Sequence, residues 1–149
     1  MPVNPDFLDL LRELGAADAR FLVVGGYAVS FHARPRATGD LDLWVEPDAG
    51  NAPRVLAALR AFGAPLEDLS EADPTAADTV YQMGLPPRRI DLLTSLTGVS
   101  FAEAWEGRVL LELEGVRIPF IGKDALIRNK RALGRPRDLA DLEALEDPS

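Results

Sequence analysis

The sequence contains no cysteine and a single histidine, His32, among its 149 residues. Without cysteine the chain cannot form a disulfide, a thiolate zinc site or a cysteine nucleophile. A lone histidine also excludes metal sites that are built from several imidazoles. Any metal ion that binds here must therefore be held mainly by carboxylates, and the chain has 24 of these.

Long apolar segments are also missing from the sequence. No apolar run approaches the ~20 residues that a membrane span needs. The first nine residues include two acids and no basic residue, unlike the start of a secretory signal peptide. We therefore expect a cytoplasmic protein without a membrane partner. A composition of 47% hydrophobic and 27% charged residues is that of an ordinary globular domain.

Positive charge is scarce and unevenly distributed. The formal net charge is -8, which argues against broad, non-specific binding to nucleic acid. Residues 123–137, here called the basic segment, nevertheless hold six basic residues and one acid, a net +5 that leaves -13 on the rest of the chain. The only two lysines of the sequence, Lys123 and Lys130, both lie in this segment. The basic segment is therefore the part that could face an anionic ligand.

Hydrophobic spacing and turn residues predict alternating helices and strands. The predicted helices cover residues 7–14, 27–33, 55–62, 101–105, 124–133 and 137–145, with Gly15 stopping the first. The predicted strands cover residues 20–24, 41–45, 79–85, 88–93, 109–113 and 116–120, and the last four form two hairpins. These elements predict an α/β (α+β) fold, a mixed sheet flanked by helices, with a C-terminal helical segment.

Two aspartates, Asp40 and Asp42, alternate with leucines in a predicted strand. Residues i and i+2 of a strand lie on the same face, ~7 Å apart, so these carboxylates repel unless a cation lies between them. Mg²⁺ prefers such oxygen ligands. The pattern alone also fits a half-buried edge strand with a polar face. A third acid, Asp91, stands between apolar neighbours in another predicted strand, which favours a metal site.

A pair of glycines, Gly25 and Gly26, separates the strand at 20–24 from the helix that follows. Glycine permits positive φ and a close approach of ligand to backbone. The N-terminus of a helix offers unpaired N–H groups and partial positive charge to a phosphate. Tight turns need glycines for steric reasons too, so the pair gains meaning only together with the acids.

Together these residues resemble the signature of the DNA polymerase β-like nucleotidyltransferase superfamily. The resemblance consists of Gly25-Gly26, thirteen intervening residues, and then Asp40-Leu41-Asp42-Leu43. Asp91 is similar to the third carboxylate of that superfamily, and Lys130 followed by the segment 137–141 (Arg-Asp-Leu-Ala-Asp) is similar to its C-terminal part. Small bacterial members are the most similar, namely aminoglycoside and lincosamide nucleotidyltransferases and AbiEii-type toxin nucleotidyltransferases.

This resemblance implies one nucleotidyltransferase-like domain over residues 1–149, with a catalytic core over about 1–121 and C-terminal helices over 122–149. It implies a Mg²⁺-dependent enzyme, with two ions, that moves a nucleoside monophosphate from a nucleoside triphosphate to an acceptor hydroxyl and releases pyrophosphate. Asp40, Asp42 and Asp91 would bind the ions, and Asp91 could also accept the proton of the acceptor.

The resemblance also implies how the triphosphate would be bound. Gly25 and Gly26 would receive it against the backbone, and Lys130 would hold its β- or γ-phosphate, with Lys123 as a substitute. Arg36 would contact phosphate or form a salt bridge with a nearby acid. Thr38 is a further nucleotide-binding candidate, although a turn or capping hydroxyl explains it as well.

Five other residues have a structural interpretation, either beside a functional one or in its place. Tyr27 and Trp44 could stack on a base or belong to the core, and for His32 a packing or hydrogen-bonding role is favoured. Asp138 and Asp141 are spaced i, i+3 on a helix, so they could neutralise arginines of the basic segment, and Asp138 is also a functional candidate.

Three functions remain open from the sequence. The first is an active nucleotidyltransferase acting on a small molecule, a tRNA or a protein. The second is a non-catalytic or regulatory protein of the same fold that acts as a partner of a cognate toxin or antitoxin. The third is an acidic binding module in which the Asp-x-Asp pattern arose by chance. The presence of all three carboxylates favours the first, and a homodimer fits any of them.

Overall fold

The computed structural model describes residues 4–33, 39–64, 79–83 and 89–146. The six described helices are α1 (Pro5–Ala16), α2 (Gly25–His32), α3 (Ala52–Phe62), α4 (Phe101–Glu106), α5 (Lys123–Leu133) and α6 (Pro136–Glu146). The six described strands are β1 (Phe21–Val24), β2 (Leu41–Val45), β3 (Val80–Met83), β4 (Ile90–Leu93), β5 (Val109–Leu113) and β6 (Val116–Phe120). The predicted α/β class is confirmed.

The strands form one mixed sheet in the order β3-β4-β2-β1-β6-β5. The two predicted hairpins are confirmed as the antiparallel pairs β3–β4 and β5–β6. In the centre, β1 is antiparallel to β2 and parallel to β6, and β2 is parallel to β4. The carboxyl end of β1 therefore lies beside the amino ends of β2 and β4, and the candidate site is at this end of the sheet.

Several helix boundaries differ from the predicted ones, and two of these differences have a clear physical cause. Helix α1 continues through Gly15 and ends at Ala16, because its packed face extends to the fully buried Leu14 and the closing hydrogen bonds lie beyond that residue. Helix α2 begins at Gly25 and not at Tyr27, since Gly25 adopts φ +66 and turns the chain directly from β1 into the helix.

The core lies on both faces of the central strands. All four residues of β1 are buried, as are Leu41, Leu43 and Val45 of β2. Asn4 caps the start of helix α1, because its side-chain oxygen accepts a hydrogen bond from the N–H of Asp6 at 2.8 Å. Its apolar stripe then packs against α3 and β6. None of the described helices has the length and apolar character that crossing a bilayer requires.

The C-terminal helices form a hairpin whose turn the sequence predicts. Gly134 ends α5 in the left-handed conformation, and Pro136 is the first residue of α6. Asp138, in the first turn of α6, accepts a hydrogen bond from the backbone N–H of Arg135 at 3.1 Å and so fixes the start of the helix. The hairpin brings the basic segment to the end of the sheet where β1 stops.

Candidate active site

The register of the central strands brings the three predicted acids together. Asp42 of β2 is paired with Asp91 of β4, and Val24 at the end of β1 is the partner of Asp42 on its other side. Asp40 lies just before β2, so it and Asp42 share one face of the chain. Asp91 is buried, and all three acids line one cavity of about 350 Å³.

Gly25 is required by the position of Asp42. A Cβ added to Gly25 would collide with the carboxylate of Asp42, and the φ of +66 disfavours any side chain there as well. Gly25 and Gly26 both line the cavity, where the first turn of α2 begins. The glycine pair thus has two roles. It makes room for the carboxylate of Asp42, and it brings the unpaired N–H groups of a helix to the cavity.

The acids destabilise one another in their ionised forms. Burial, the negative charges of Asp91 and Asp40, and a hydrogen bond with Asp91 raise the pKa of Asp42 from 3.8 to about 6. Two carboxyl groups share a hydrogen bond only when one of them is protonated, so this contact favours the neutral form of Asp42. Negative charge is therefore concentrated at this end of the sheet.

Arg89 is the functional candidate that the sequence analysis missed. Its Nη2 lies 3.3 Å from Oδ2 of Asp40, and its Nε lies 3.1 Å from Oδ1 of Asp91. A signal was present, because Arg89 and Asp91 are spaced i, i+2 and must share a face of the strand. One guanidinium thus contacts two of the three acids.

The opposite wall of the cavity comes from the C-terminal hairpin. It contributes Lys130 of α5, Arg137 and Asp141 of α6, and Arg135 between the helices. With Arg89 and the acids of the sheet, the described lining of the cavity carries four acidic and four basic side chains. A ligand that enters this cavity therefore meets charges of both signs.

The predicted phosphate ligand Lys130 is held by two aspartates. Its side chain is buried, and its Nζ lies 3.1 Å from Oδ2 of Asp141 and 3.5 Å from Oδ1 of Asp138. Arg135 completes the group by donating from Nε to Oδ2 of Asp138 at 2.6 Å and from Nη2 to Oδ1 at 3.2 Å. These four residues, here called the buried ion-pair cluster, have no net charge.

The hydrogen bonds from Arg135, together with the positive charge of Lys130, lower the pKa of Asp138 to about 2. Other cations of the basic segment also have acidic partners, since Arg128 pairs with Glu103 at 2.8 Å and Arg131 with Glu146 at 2.6 Å. Within the described ranges Arg137 forms no ion pair and is exposed. The prediction that Asp138 and Asp141 neutralise arginines is thus right for Arg135, whereas Asp141 pairs with Lys130.

The remaining candidates lie away from the acids or outside the described residues. Trp44 is in the core and meets Phe101 edge to face, and Tyr27 is also buried. Nε2 of His32 lies 2.6 Å from the backbone oxygen of Ile121, which fits the structural role favoured for it.

The three remaining nucleotide-binding candidates differ in where they fall. Lys123 lies at a different cavity, next to His32. Arg36 and Thr38 lie outside the described residues.

The carboxylate oxygens of the site are ligands of the type that a hard divalent cation prefers. In the part of the chain that the structure describes, no three His, Cys, Asp or Glu side chains already have a metal-holding arrangement. Asp91 nevertheless has a buried oxygen, Oδ1, that receives no hydrogen bond from the described residues. A buried carboxylate oxygen without a donor, beside a second carboxyl group that resists ionisation, is what a bound cation would satisfy.

Comparison with known proteins identifies the fold. No family model matches the sequence, and no curated protein matches it. Among solved structures, a putative nucleotidyltransferase from Thermotoga maritima is 12% identical, with a TM-score of 0.60 over 95% of this chain and 93% of its own. A lincosamide antibiotic adenylyltransferase bound to lincomycin is 14% identical, with a TM-score of 0.57 over 99% of this chain and 98% of its own.

The protein ANT(2″)-Ia in complex with adenylyl-2″-tobramycin is 13% identical, with a TM-score of 0.56 over 93% of this chain and 84% of its own. Identities this low carry information on architecture alone. The agreement extends over nearly the whole described chain and includes the sheet that carries the three acids. The chain therefore has the fold of these nucleotidyltransferase structures, which agrees with the fold that the sequence resemblance implies.

Proposed function

We propose that this protein is a nucleotidyltransferase that depends on a divalent cation, with Mg²⁺ as the physiological ion. The observation that carries the proposal is the convergence of Asp40, Asp42 and Asp91 beside the first turn of α2 in one cavity. In a nucleotidyltransferase fold, this is an arrangement of carboxylates and backbone N–H groups suited to a metal-bound triphosphate.

The reaction divides between the two walls of the cavity. The acceptor hydroxyl oxygen bonds to the α-phosphorus, the bond from that phosphorus to the β-phosphate oxygen breaks, and pyrophosphate leaves. Asp40, Asp42 and Asp91 would hold two ions, which when bound neutralise charge on the attacking and leaving oxygens. Asp91 would accept the proton of the acceptor. The N–H groups at Gly25 and Gly26 orient the phosphates from the other side.

Two residues are candidates for binding the outer phosphates of the triphosphate. Lys130 remains the predicted ligand, but it already contacts two carboxylates. Arg137 lines the same cavity, is exposed, and has no ion pair among the described residues. A free guanidinium binds phosphate at lower cost than an ammonium that must leave buried partners. We therefore assign the triphosphate contact to Arg137 and a structural role to Lys130.

The acceptor is proposed as a small molecule with a free hydroxyl. Two of the structural neighbours are a lincosamide adenylyltransferase and a protein that carries adenylyl-tobramycin, and this chain is almost as long as the first of them. With most of the basic segment paired to acids, little positive surface remains for a long nucleic acid.

Pyrophosphate release tests the proposal. The purified protein is given each nucleoside triphosphate with Mg²⁺ and a panel of hydroxylated antibiotics, with tRNA and the protein itself as further acceptors. We expect one combination to release pyrophosphate, and Asp91→Asn to reduce the rate at least about a hundredfold. Asp9→Asn, which removes an exposed acid paired with Arg12, is the matched control and should keep full activity.

Titration calorimetry separates the catalytic function from the non-catalytic alternative. Metal-dependent nucleotide binding without any transfer would favour the regulatory protein, for which a cognate toxin or antitoxin would be the partner. Nucleotide binding that is independent of metal, or that Asp42→Asn with Asp91→Asn leaves unchanged, would contradict the roles given to the carboxylates.

A further inference from the structure

Arg89 contacts two of the three acids that the proposed function assigns to the metal ions. Its guanidinium contacts Asp40 through Nη2 and Asp91 through both Nε, at 3.1 Å, and Nη2, at 3.4 Å. About a third of its side chain is exposed, whereas only about a tenth of the Asp91 side chain is. The same oxygens cannot coordinate a metal ion and contact the guanidinium closely.

The contacts of Arg89 are poorly formed. Charge-assisted N–H···O bonds are commonly 2.7–2.9 Å long, and none of the Arg89 contacts is that short. Among the described residues, both the buried Nε of Arg89 and Oδ1 of Asp91 lack a hydrogen bond, although they lie 3.1 Å apart. Arg135, by contrast, forms well-made hydrogen bonds, since it donates to both oxygens of Asp138 and lies 2.6 Å from one of them.

The backbone of Arg89 is held by the sheet, whereas its side chain borders an open cavity. Its carbonyl oxygen accepts a hydrogen bond from the N–H of Leu41 at 2.9 Å, which ties the residue to β2. Its side chain lies in the wall of the open cavity. A rotation about side-chain bonds would therefore release the carboxylates without any change in the sheet.

We infer that Arg89 is an internal counter-cation of the three acids, which a divalent metal ion displaces on binding, so that Arg89 sets the metal affinity of the site. The inference rests on the proposed function, because it takes Asp40, Asp42 and Asp91 as metal ligands. Metal binding is then an exchange of cations, since the negative charge of the carboxylates is partly balanced first by the guanidinium and afterwards by the ion.

Titration with Mn²⁺ alone, followed by electron spin resonance, tests the exchange in the absence of nucleotide and of turnover. Arg89→Gln removes the competing charge and should tighten Mn²⁺ binding about tenfold. Arg89→Lys keeps the charge without the planar fork and should give an intermediate affinity. Arg54→Gln removes an arginine from an exposed ion pair with Asp18 and should bind Mn²⁺ like the wild type.

The outcomes separate the inference from the proposed function. Unchanged or weaker Mn²⁺ binding by Arg89→Gln, with wild-type binding that Asp42→Asn abolishes, would overturn the exchange and leave the proposed function standing. Absence of Mn²⁺ binding in both the wild type and Arg89→Gln would overturn both. A rise in Tm on adding Mn²⁺ that is larger for Arg89→Gln than for the wild type supports the exchange by a second measurement.

Discussion

The two walls of the cavity carry charge in opposite ways. At the end of the sheet, Arg89 contacts two of the three acids at 3.1 Å or more, and the pKa of Asp42 is raised to about 6. In the buried ion-pair cluster, two acids face two cations, and the pKa of Asp138 is lowered to about 2. Acids that face close cations stabilise a fold, whereas acids that raise one another's pKa are suited to binding a cation. We therefore assign a structural role to the second wall, here called the compensated wall, and a catalytic role to the first, here called the uncompensated wall.

Removing the cation of the compensated wall should have the largest effect. Lys130→Met removes the ammonium group that faces the buried carboxylates of Asp138 and Asp141, and we expect the free energy of unfolding to fall by about 3 kcal/mol. Denaturant unfolding measures this. Arg131→Met, one residue along α5 in an exposed pair with Glu146, should cost less than about 1 kcal/mol. Equal stability of the two variants would contradict the structural role given to Lys130.

Removing an acid from the uncompensated wall should raise the free energy of unfolding instead of lowering it. Asp42→Asn relieves repulsion with Asp40 and Asp91, so we expect the metal-free protein to gain about 1–2 kcal/mol at pH 7 while it loses Mn²⁺ binding. Thermal unfolding without metal and Mn²⁺ titration measure the two effects. Asp9→Asn should change neither. A loss of stability in Asp42→Asn would show that this wall is compensated after all.

The exposed arginine of the second wall should affect ligand binding and not stability. Arg137→Gln removes the guanidinium that we assign to the triphosphate, and we expect the Kd for nucleotide with Mg²⁺ to rise about tenfold, or about 1.4 kcal/mol. Calorimetry gives the affinity, and denaturant unfolding should show an unchanged fold. Arg131→Gln is the control in the same segment. If only Lys130→Met weakened nucleotide binding in a folded protein, the phosphate role would return to Lys130.

The sequence predicts the acids of the site better than their surroundings. Alternation with leucines places Asp40 and Asp42 on one face, and the hairpins follow from local turn residues. The pairing of β2 with β4 joins strands that are far apart in the chain, so no local pattern could predict that Asp42 and Asp91 are register partners. Lys130 shows the same limit, because the sequence shows the charge of a lysine but not its partners, which here are Asp138 and Asp141.

Acidification should have the smallest effect on stability, a loss that comes from protonation of Asp138. Asp138 has a folded pKa of about 2, below its ordinary 3.8, so its contribution is complete above about pH 4 and is lost as the pH falls towards 2. Because Arg135 is half exposed, we expect this loss to be only about 1 kcal/mol. Unfolding measured between pH 5 and 2 should show it in the wild type, and Asp138→Asn should lack it. An equal acid loss in both proteins would mean that Asp138 is not the carboxylate whose protonation loosens the second wall.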